Sequence, residues 1–408
     1  MTDSEKRKSA YLFLVLLGVV SLFSDLTYEG ARSIIGPYML LLGASAATVG
    51  FVSGLGEFIG YALRLATGFI SDRTKRYWLL TIIGYAVNVV VIPALALAPG
   101  LGWAYACALL LLERFGKAIR NPAKNTLASF AASEVGEGKG FALQEAMDQI
   151  GAFLGPMMLF IVLTAKGKEE KLSSYAFCFL LLGIPALVTL SLVLFARRKY
   201  PRPHEFEREK PRNAGDGLKG AYWFYLAGIS LLAAGFADFP LMAYHFAKTK
   251  LLTDNLVPVL YAVAMGIDAA SALFFGRMYD RKGMTAIMIS SAVSALFAPL
   301  AFLGGSPALA VAGVALWGVG MGAQESILKA AVTTIVPPEK RGTGFGIFNT
   351  GFGAFWFLGS WLMGVLYDTS IPALVIFSMG AQFASLPFFL KSKRLLAADA
   401  NSGFGARS

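Results

Sequence analysis

Gly68-Phe69-Ile70-Ser71-Asp72-Arg73-Thr74-Lys75-Arg76 stands between two long apolar runs, and Gly276-Arg277-Met278-Tyr279-Asp280-Arg281-Lys282-Gly283 stands between two more. From Gly68 to Gly276 the offset is 208, and Asp72 and Arg73 return as Asp280 and Arg281 at the same spacing. Glycine matches alone mean little in a chain with 44 of them, so the Asp-Arg pair carries the argument. Gly116, Gly140, Phe141, Leu154 and Gly155 recur as Gly320, Gly344, Phe345, Leu358 and Gly359 at an offset of 204, and Phe23 and Asp25 match Phe236 and Asp238 at 213. A near-constant offset over half the chain is the mark of a parallel duplication.

The runs around these motifs set the solvent. Of 408 residues 56% are hydrophobic and 15% charged, too apolar for a soluble globular chain. A membrane-spanning helix needs about 20 mainly apolar residues, because its backbone groups must be satisfied internally where water is absent. Continuous runs such as Tyr11 to Leu22 and Leu79 to Ala98 favour helices over the short alternating segments of a barrel. Run lengths and breakers predict twelve: 11–36, 45–70, 77–98, 101–121, 140–165, 173–196, 221–246, 255–279, 284–304, 307–330, 343–367 and 371–391. Lys6, Arg7 and Lys8 precede the first run, which lacks a small-residue cleavage site and reads as a retained span. Cys107 and Cys178 lie inside apolar runs and suggest neither a disulfide framework nor a metal cluster.

With the N-terminus inside, 27 of the 36 Lys and Arg residues fall on cytoplasmic segments, against only Lys166, Lys168, Lys171, Lys248 and Lys250 on the opposite face. Arg32, Arg64, Arg114 and Lys117 are assigned to membrane depth or its edge. The bias predicts a multi-pass protein of the cell inner (cytoplasmic) membrane with both termini in the cytoplasm. Domains follow as 1–196, an N-terminal six-helix bundle; 197–220, a basic, proline-containing cytoplasmic linker; 221–391, a C-terminal six-helix bundle; and 392–408, a cytoplasmic tail. The net charge of +11 is thereby explained by orientation, and no nucleic-acid partner is expected.

The first motif resembles the most specific signature of the major facilitator superfamily, a cytoplasmic loop of Gly, three residues, Asp, Arg and a basic pair; the second copy keeps the later glycine, Gly283, where the first has Lys75. The likeness extends over essentially the whole chain. It implies an all-α membrane protein, twelve transmembrane helices in two pseudo-symmetric six-helix bundles, moving a small solute by alternating access. Gly68, Asp72, Arg73, Arg76, Gly276, Asp280 and Arg281 would form a conformational latch, with Glu145 and Asp148 as acidic receivers. Gly151-Ala-Phe-Leu-Gly155-Pro156 is similar to the signature the family shows mainly in antiporters, and predicts a packing hinge on the fifth span. Arg114 overlaps the family's arginine signature on the fourth span.

An ionisable side chain at bilayer depth costs at least roughly 2.5–3.5 kcal/mol on insertion scales, so it should face the bundle interior. Asp25, Glu29 and Arg32, at spacings of 4 and 3, share one stripe of the first span; the acids are the preferred proton-coupling pair. Glu57 and Arg64 share a stripe on the second span, Glu113 lies at similar depth on the fourth, and Asp238 with His245, Asp268 and the pair Glu325 and Lys329 mark the second half. Tyr28, Tyr61, Trp317, Phe348, Phe352 and Trp356 fall on spans expected to border a cavity, where aromatics beside carboxylates would suit an organic cation. Two histidines give no His-rich metal site, and no phosphate-cradling loop, nucleophile elbow or cofactor motif is present. The expected activity is proton-coupled efflux of a small organic or cationic solute. The alternatives are proton-coupled import of a small anion through Arg32, Arg64 and Arg114, a membrane receptor that no longer transports, a carboxylate-based metal-ion exporter and a polytopic membrane enzyme. Partners are a small-molecule or ion substrate, protons and the lipid bilayer.

Overall fold

A computed structural model describes residues 3–135, 137–167, 170–206, 220–336 and 341–405, and among them the regular elements are all helical. The main helices are α1 (Asp3–Leu41), α2 (Ala46–Thr74), α3 (Tyr77–Ala94), α4 (Trp103–Val135), α5 (Glu137–Lys166), α6 (Lys171–Lys199), α7 (Gly220–Gly235), α8 (Phe239–Thr249), α9 (Leu256–Lys282), α10 (Met284–Ser294), α11 (Phe297–Leu303), α12 (Pro307–Ala323), α13 (Lys329–Ile335), α14 (Arg341–Thr369) and α15 (Ile371–Gly405). Among the described residues ten segments are long and apolar enough to cross a membrane. The two remaining long helices are α4, whose middle carries Glu113, Arg114, Lys117, Arg120 and Lys124, and α14, where glycines and tryptophans dilute the aliphatic residues. Taken with them, the architecture is consistent with twelve passes. Four of the described passes are interrupted: α3 continues through a 3-10 turn, Leu95–Leu97, into a last helical turn, Ala98–Leu101; α7 and α8 make one pass around residues 236–238, α10 and α11 another, and α12 continues through a wide π turn, Gln324–Leu328, into α13.

Lipid-facing and inward surfaces separate cleanly on α6. Phe177, Leu180, Ile184 and Leu187, spaced by three or four, are exposed, whereas Cys178, Phe179, Leu182 and Ala186 are buried. Large apolar residues therefore coat the outside as well as the core, which only a hydrocarbon solvent makes stable.

The chain forms two compact units. The first comprises residues 1–44, 59–211 and 246–262, the second 45–58, 212–245 and 263–408. These boundaries differ from the bundle limits expected from the linker, because each unit takes one short segment from the other half of the sequence. In the second unit Gly50 and Gly54 of α2 lie on the backbone of α14: a Cβ at Gly50 would strike the Ser360 carbonyl, and one at Gly54 would come within 2.9 Å of Phe357 Cα. Asp368, at the end of α14, accepts the Ala47 amide at 2.9 Å and so caps the α2 N-terminus. In the first unit Phe13, Trp78, Tyr200 and Phe206 gather into a core at the N-terminal end. The expected linker thus begins with a 3-10 turn, Pro203–Phe206, whose Phe206 is buried, and the expected tail begins as the continuing α15.

The repeat is visible as local geometry. Lys75 closes α2 at φ +54° and its amide bonds the Ser71 carbonyl at 2.8 Å; 208 residues on, Gly283 closes α9 at φ +53° with its amide 2.7 Å from the Tyr279 carbonyl. Both copies end their helix on a residue of positive φ whose amide bonds the carbonyl four residues back, although only one has the glycine that such a φ favours. The second repeat is one of close approach. A Cβ on Gly155 would strike the Leu26 carbonyl of α1, and one on Gly359 the Ala234 carbonyl of α7. Leu26 and Ala234 are themselves 208 apart, so Asp238 sits about a turn beyond the position that corresponds to Asp25, and the offset of 213 does not describe this helix.

Candidate functional site

In the first unit a polar zipper joins α1 to the antiparallel α4. Lys124 Nζ donates to Ser21 Oγ at 2.6 Å, Arg120 Nη2 donates to Ser24 Oγ at 3.2 Å, and Lys117 Nζ lies 3.4 Å from the centre of the Tyr28 ring. Residue numbers rise on one helix as they fall on the other. Spacings of 3 and 4 on both partners keep all of these groups on the two facing stripes. The Arg114 guanidinium covers the same Tyr28 ring at 4.8 Å and pairs with Glu113 at 3.7 Å, while Arg120 stacks 4.6 Å over Tyr85 of α3.

Asp25 lies within this zipper, and the charges acting on it are Asp148 of α5, Lys117 and Lys124 of α4, and Glu29. Glu29 is 3.9 Å from Arg32 and accepts a hydrogen bond from the Tyr261 hydroxyl. Arg32, Glu113 and Arg120 are at most 6% exposed. Four acids, Asp25, Glu29, Glu113 and Asp148, thus share one cluster with Arg32, Arg114, Lys117, Arg120 and Lys124. Close packing brings them together: glycines 151 and 155 let α5 lie directly on the α1 backbone at Leu22 and Leu26, which carries Asp148 up to Asp25.

The sequence places Asp25, Glu29, Arg32, Glu113 and Arg114 among the coupling residues and leaves out five contributors, Lys117 among them, which it assigns only to membrane depth or its edge. Arg120 and Lys124 were assigned to a cytoplasmic segment, yet they lie on α4 inside the cluster. Asp148 was assigned to the latch; its charged neighbours are Asp25 and Lys124. Tyr261 carries no sequence signal for its reach to Glu29. Elsewhere in this unit Arg64 lies 5.1 Å over the Tyr61 ring, and Glu145 is exposed and accepts from Gln149. Arg73 and Arg76 of the expected latch are exposed, and the side chain of Asp72 lies outside the described residues.

In the second unit the expected residues are more dispersed. Asp238 is 1% exposed and caps α8 by accepting the Phe239 amide at 3.0 Å; Trp317 Nε1 donates to the Ala237 carbonyl at 2.8 Å, so both secure the break in the seventh pass. His245 bonds the Tyr367 hydroxyl at 2.9 Å rather than reaching Asp238. Asp268 is buried on α9, Glu325 is exposed in the π turn, and the side chain of Lys329 lies outside the described residues. Phe348, Phe352 and Trp356 form a buried ladder along α14, with neighbouring rings 5.8 and 5.4 Å apart, and its end meets Phe236. Glu57 and Asp280 are half-buried and exposed, as is Arg281 at the end of α9. Among the described residues no group of three or more His, Cys, Asp or Glu is arranged to hold a metal ion.

Comparison with known proteins gives this arrangement its context. The family description Major Facilitator Superfamily matches residues 14–360 and 224–395. An uncharacterised protein of Mycobacterium tuberculosis is 39% identical over 385 residues, 93% of this chain and 92% of its own. Among solved structures, a variant of the nucleoside transporter NupG superposes with a TM-score of 0.74 at 12% identity, covering 93% of this chain and 99% of that one. A D-xylose-proton symporter does so with 0.70 at 13% identity, covering 93% and 96%. The chain therefore belongs to the Major Facilitator Superfamily and is a multi-pass membrane transporter, not an enzyme.

Proposed function

We propose that this transporter is a proton-coupled secondary carrier that exports a small organic or cationic solute, with Asp25 and Glu29 exchanging the coupling proton. The observation that carries the reading is the position of Asp25 between two lysines and two further acids. A carboxyl so placed changes its proton affinity whenever a neighbouring charge moves or a solute displaces it, which is what coupling requires. Arg32 and Tyr261 both contact Oε2 of Glu29, so the two acids sit in different electrostatic settings although they are one helical turn apart. The site residues of the second unit, the latch around Gly68, Asp72, Arg73, Arg76, Gly276, Asp280 and Arg281, and the hinge at Gly151, Gly155 and Pro156 are assigned to the conformational cycle by the same proposal. So is the placement in the inner membrane with cytoplasmic termini.

A second reading, proton-coupled import of a small anion, draws support from one observation: Arg32, Arg114, Lys117, Arg120 and Lys124 outnumber the four acids of the cluster. A surplus of cations favours a solute that brings a negative charge. Counterflow in proteoliposomes, with organic cations and carboxylates presented against an imposed pH gradient, separates the two. Export predicts solute moving against the proton gradient, and anion import predicts movement with it. Solute flux indifferent to gradients of either sign would remove proton coupling altogether.

A further inference from the structure

The five lysines assigned to the face that the positive-inside rule leaves poor in basic residues, Lys166, Lys168, Lys171, Lys248 and Lys250, come from only two short segments. Lys168 lies outside the described residues; Lys171 and Lys250, one from each segment, line one cleft of the first unit. It encloses about 530 Å³ between the end of α5, the start of α6 and the turn from α8 to α9, and it is lined by Thr164, Lys171, Tyr175, Lys250, Asp254 and Asn255, among others. That volume suits a small ligand.

Its polar groups are arranged around a gap in their own bonding. Lys171 Nζ is 2.6 Å from Asp254 Oδ2, and Asn255 Nδ2 donates to Thr164 Oγ1 at 3.0 Å, so the rim is tied together. Inside it, the Tyr175 hydroxyl is buried, with the residue 1% exposed, and has no hydrogen-bond partner among the described residues. A buried hydroxyl left unbonded costs about 1–3 kcal/mol, so a ligand that accepts its proton is favoured. Lys250 is exposed and without an acidic partner among the described residues, on a backbone held at φ +53° by the bonds of its own amide to Ala247 and the Leu251 amide to Phe246. A left-handed non-glycine residue kept in so short a turn fixes where its side chain starts.

We propose that this cleft binds an anionic group of phosphate type, with Lys250 and Lys171 as its cations and the Tyr175 hydroxyl as a donor. The anion displaces Asp254 from Lys171, so the ion pair at the rim is the intramolecular competitor of the ligand. The chemistry is shared by a soluble phosphorylated solute and the headgroup of an anionic phospholipid. None of these residues belongs to the α1–α4 zipper, and the failure of this site leaves the proton-coupling reading untouched.

The test uses the full chain with Lys250→Asn, which tolerates the same backbone, Tyr175→Phe and Asp254→Asn. Inorganic phosphate is titrated calorimetrically into delipidated protein in detergent, and retention of phosphatidylglycerol from mixed nanodiscs is read by native mass spectrometry. A soluble ligand predicts saturable phosphate binding that weakens about tenfold in Lys250→Asn and tightens in Asp254→Asn. A lipid site predicts instead phosphatidylglycerol retention that falls about tenfold in Lys250→Asn and Tyr175→Phe. Wild type and variants alike in both arms, at matched melting temperatures, would overturn the proposal.

Discussion

Lys75 occupies a backbone conformation that costs an L-residue about 1–2 kcal/mol, at the position where the second copy of the motif has Gly283. Replacing Lys75 with Gly should therefore raise the midpoint of thermal unfolding, by the equivalent of about 1 kcal/mol. Gly283→Ala should lower it by a similar amount. If Lys75→Gly is neutral or harmful, the lysine side chain does more for this turn than the strain takes away. The sequence showed the missing glycine but not that the turn survives without it, since backbone strain leaves no mark on residue identity. Charges were legible to the same uneven degree. Asp25, Glu29 and Arg32 declare themselves by helical spacing within an apolar run. Arg120 and Lys124 do not, because they fall at and just beyond the predicted end of the span at 121, whereas α4 runs on to Val135 and carries them inward by bonding each to a serine or an aromatic face of a neighbouring helix.

At the scale of elements, small residues decide how near two helices come. A methyl group at Gly155 or Gly359 meets a backbone carbonyl that cannot rotate away, so Gly155→Ala and Gly359→Ala should each destabilise by about 1–3 kcal/mol. Gly266 has nothing within 4 Å of its would-be Cβ, and Gly266→Ala should instead stabilise by roughly 0.5–1 kcal/mol through helix propensity. Unfolding followed in detergent with increasing dodecyl sulfate distinguishes them; equal effects at all three sites would mean that α1 and α7 yield easily. Asp238 offers a different case. As the cap of α8 it should cost about 1 kcal/mol when changed to Ala and little when changed to Asn, which can also accept the Phe239 amide. A large loss of transport at normal stability in Asp238→Asn would assign this carboxylate to the transport cycle as well as to the helix start. Run lengths found the passes, but Gly235 and Pro240, which flank the break at 236–238, and the glycines 318, 320 and 322 before the π turn were read as part of unbroken apolar runs, and the breaks are held by tertiary bonds such as Trp317 to Ala237.

For the whole molecule, the duplicated motif was enough to announce the family, and both of its copies end a helix on a residue of positive φ. What the offsets could not announce is which segments pack together. Residues 45–58 and 246–262 each lie in the unit dominated by the other half of the sequence, an exchange set by the α2 and α14 glycine contacts and by Tyr261 rather than by chain order. The candidate cluster is equally a product of tertiary structure, since five helices, α1, α3, α4, α5 and α9, contribute charges, rings or the Tyr261 hydroxyl from stretches that are separate in sequence. The proposed coupling rests on Asp25 exchanging a proton under the influence of its neighbours. Solute-driven proton movement in proteoliposomes, read with a pH-sensitive dye for wild type, Asp25→Asn and Glu29→Gln, tests that directly. The account predicts that Asp25→Asn abolishes proton movement while solute exchange across the bilayer persists. Proton movement of wild-type size and pH dependence in both variants would contradict it.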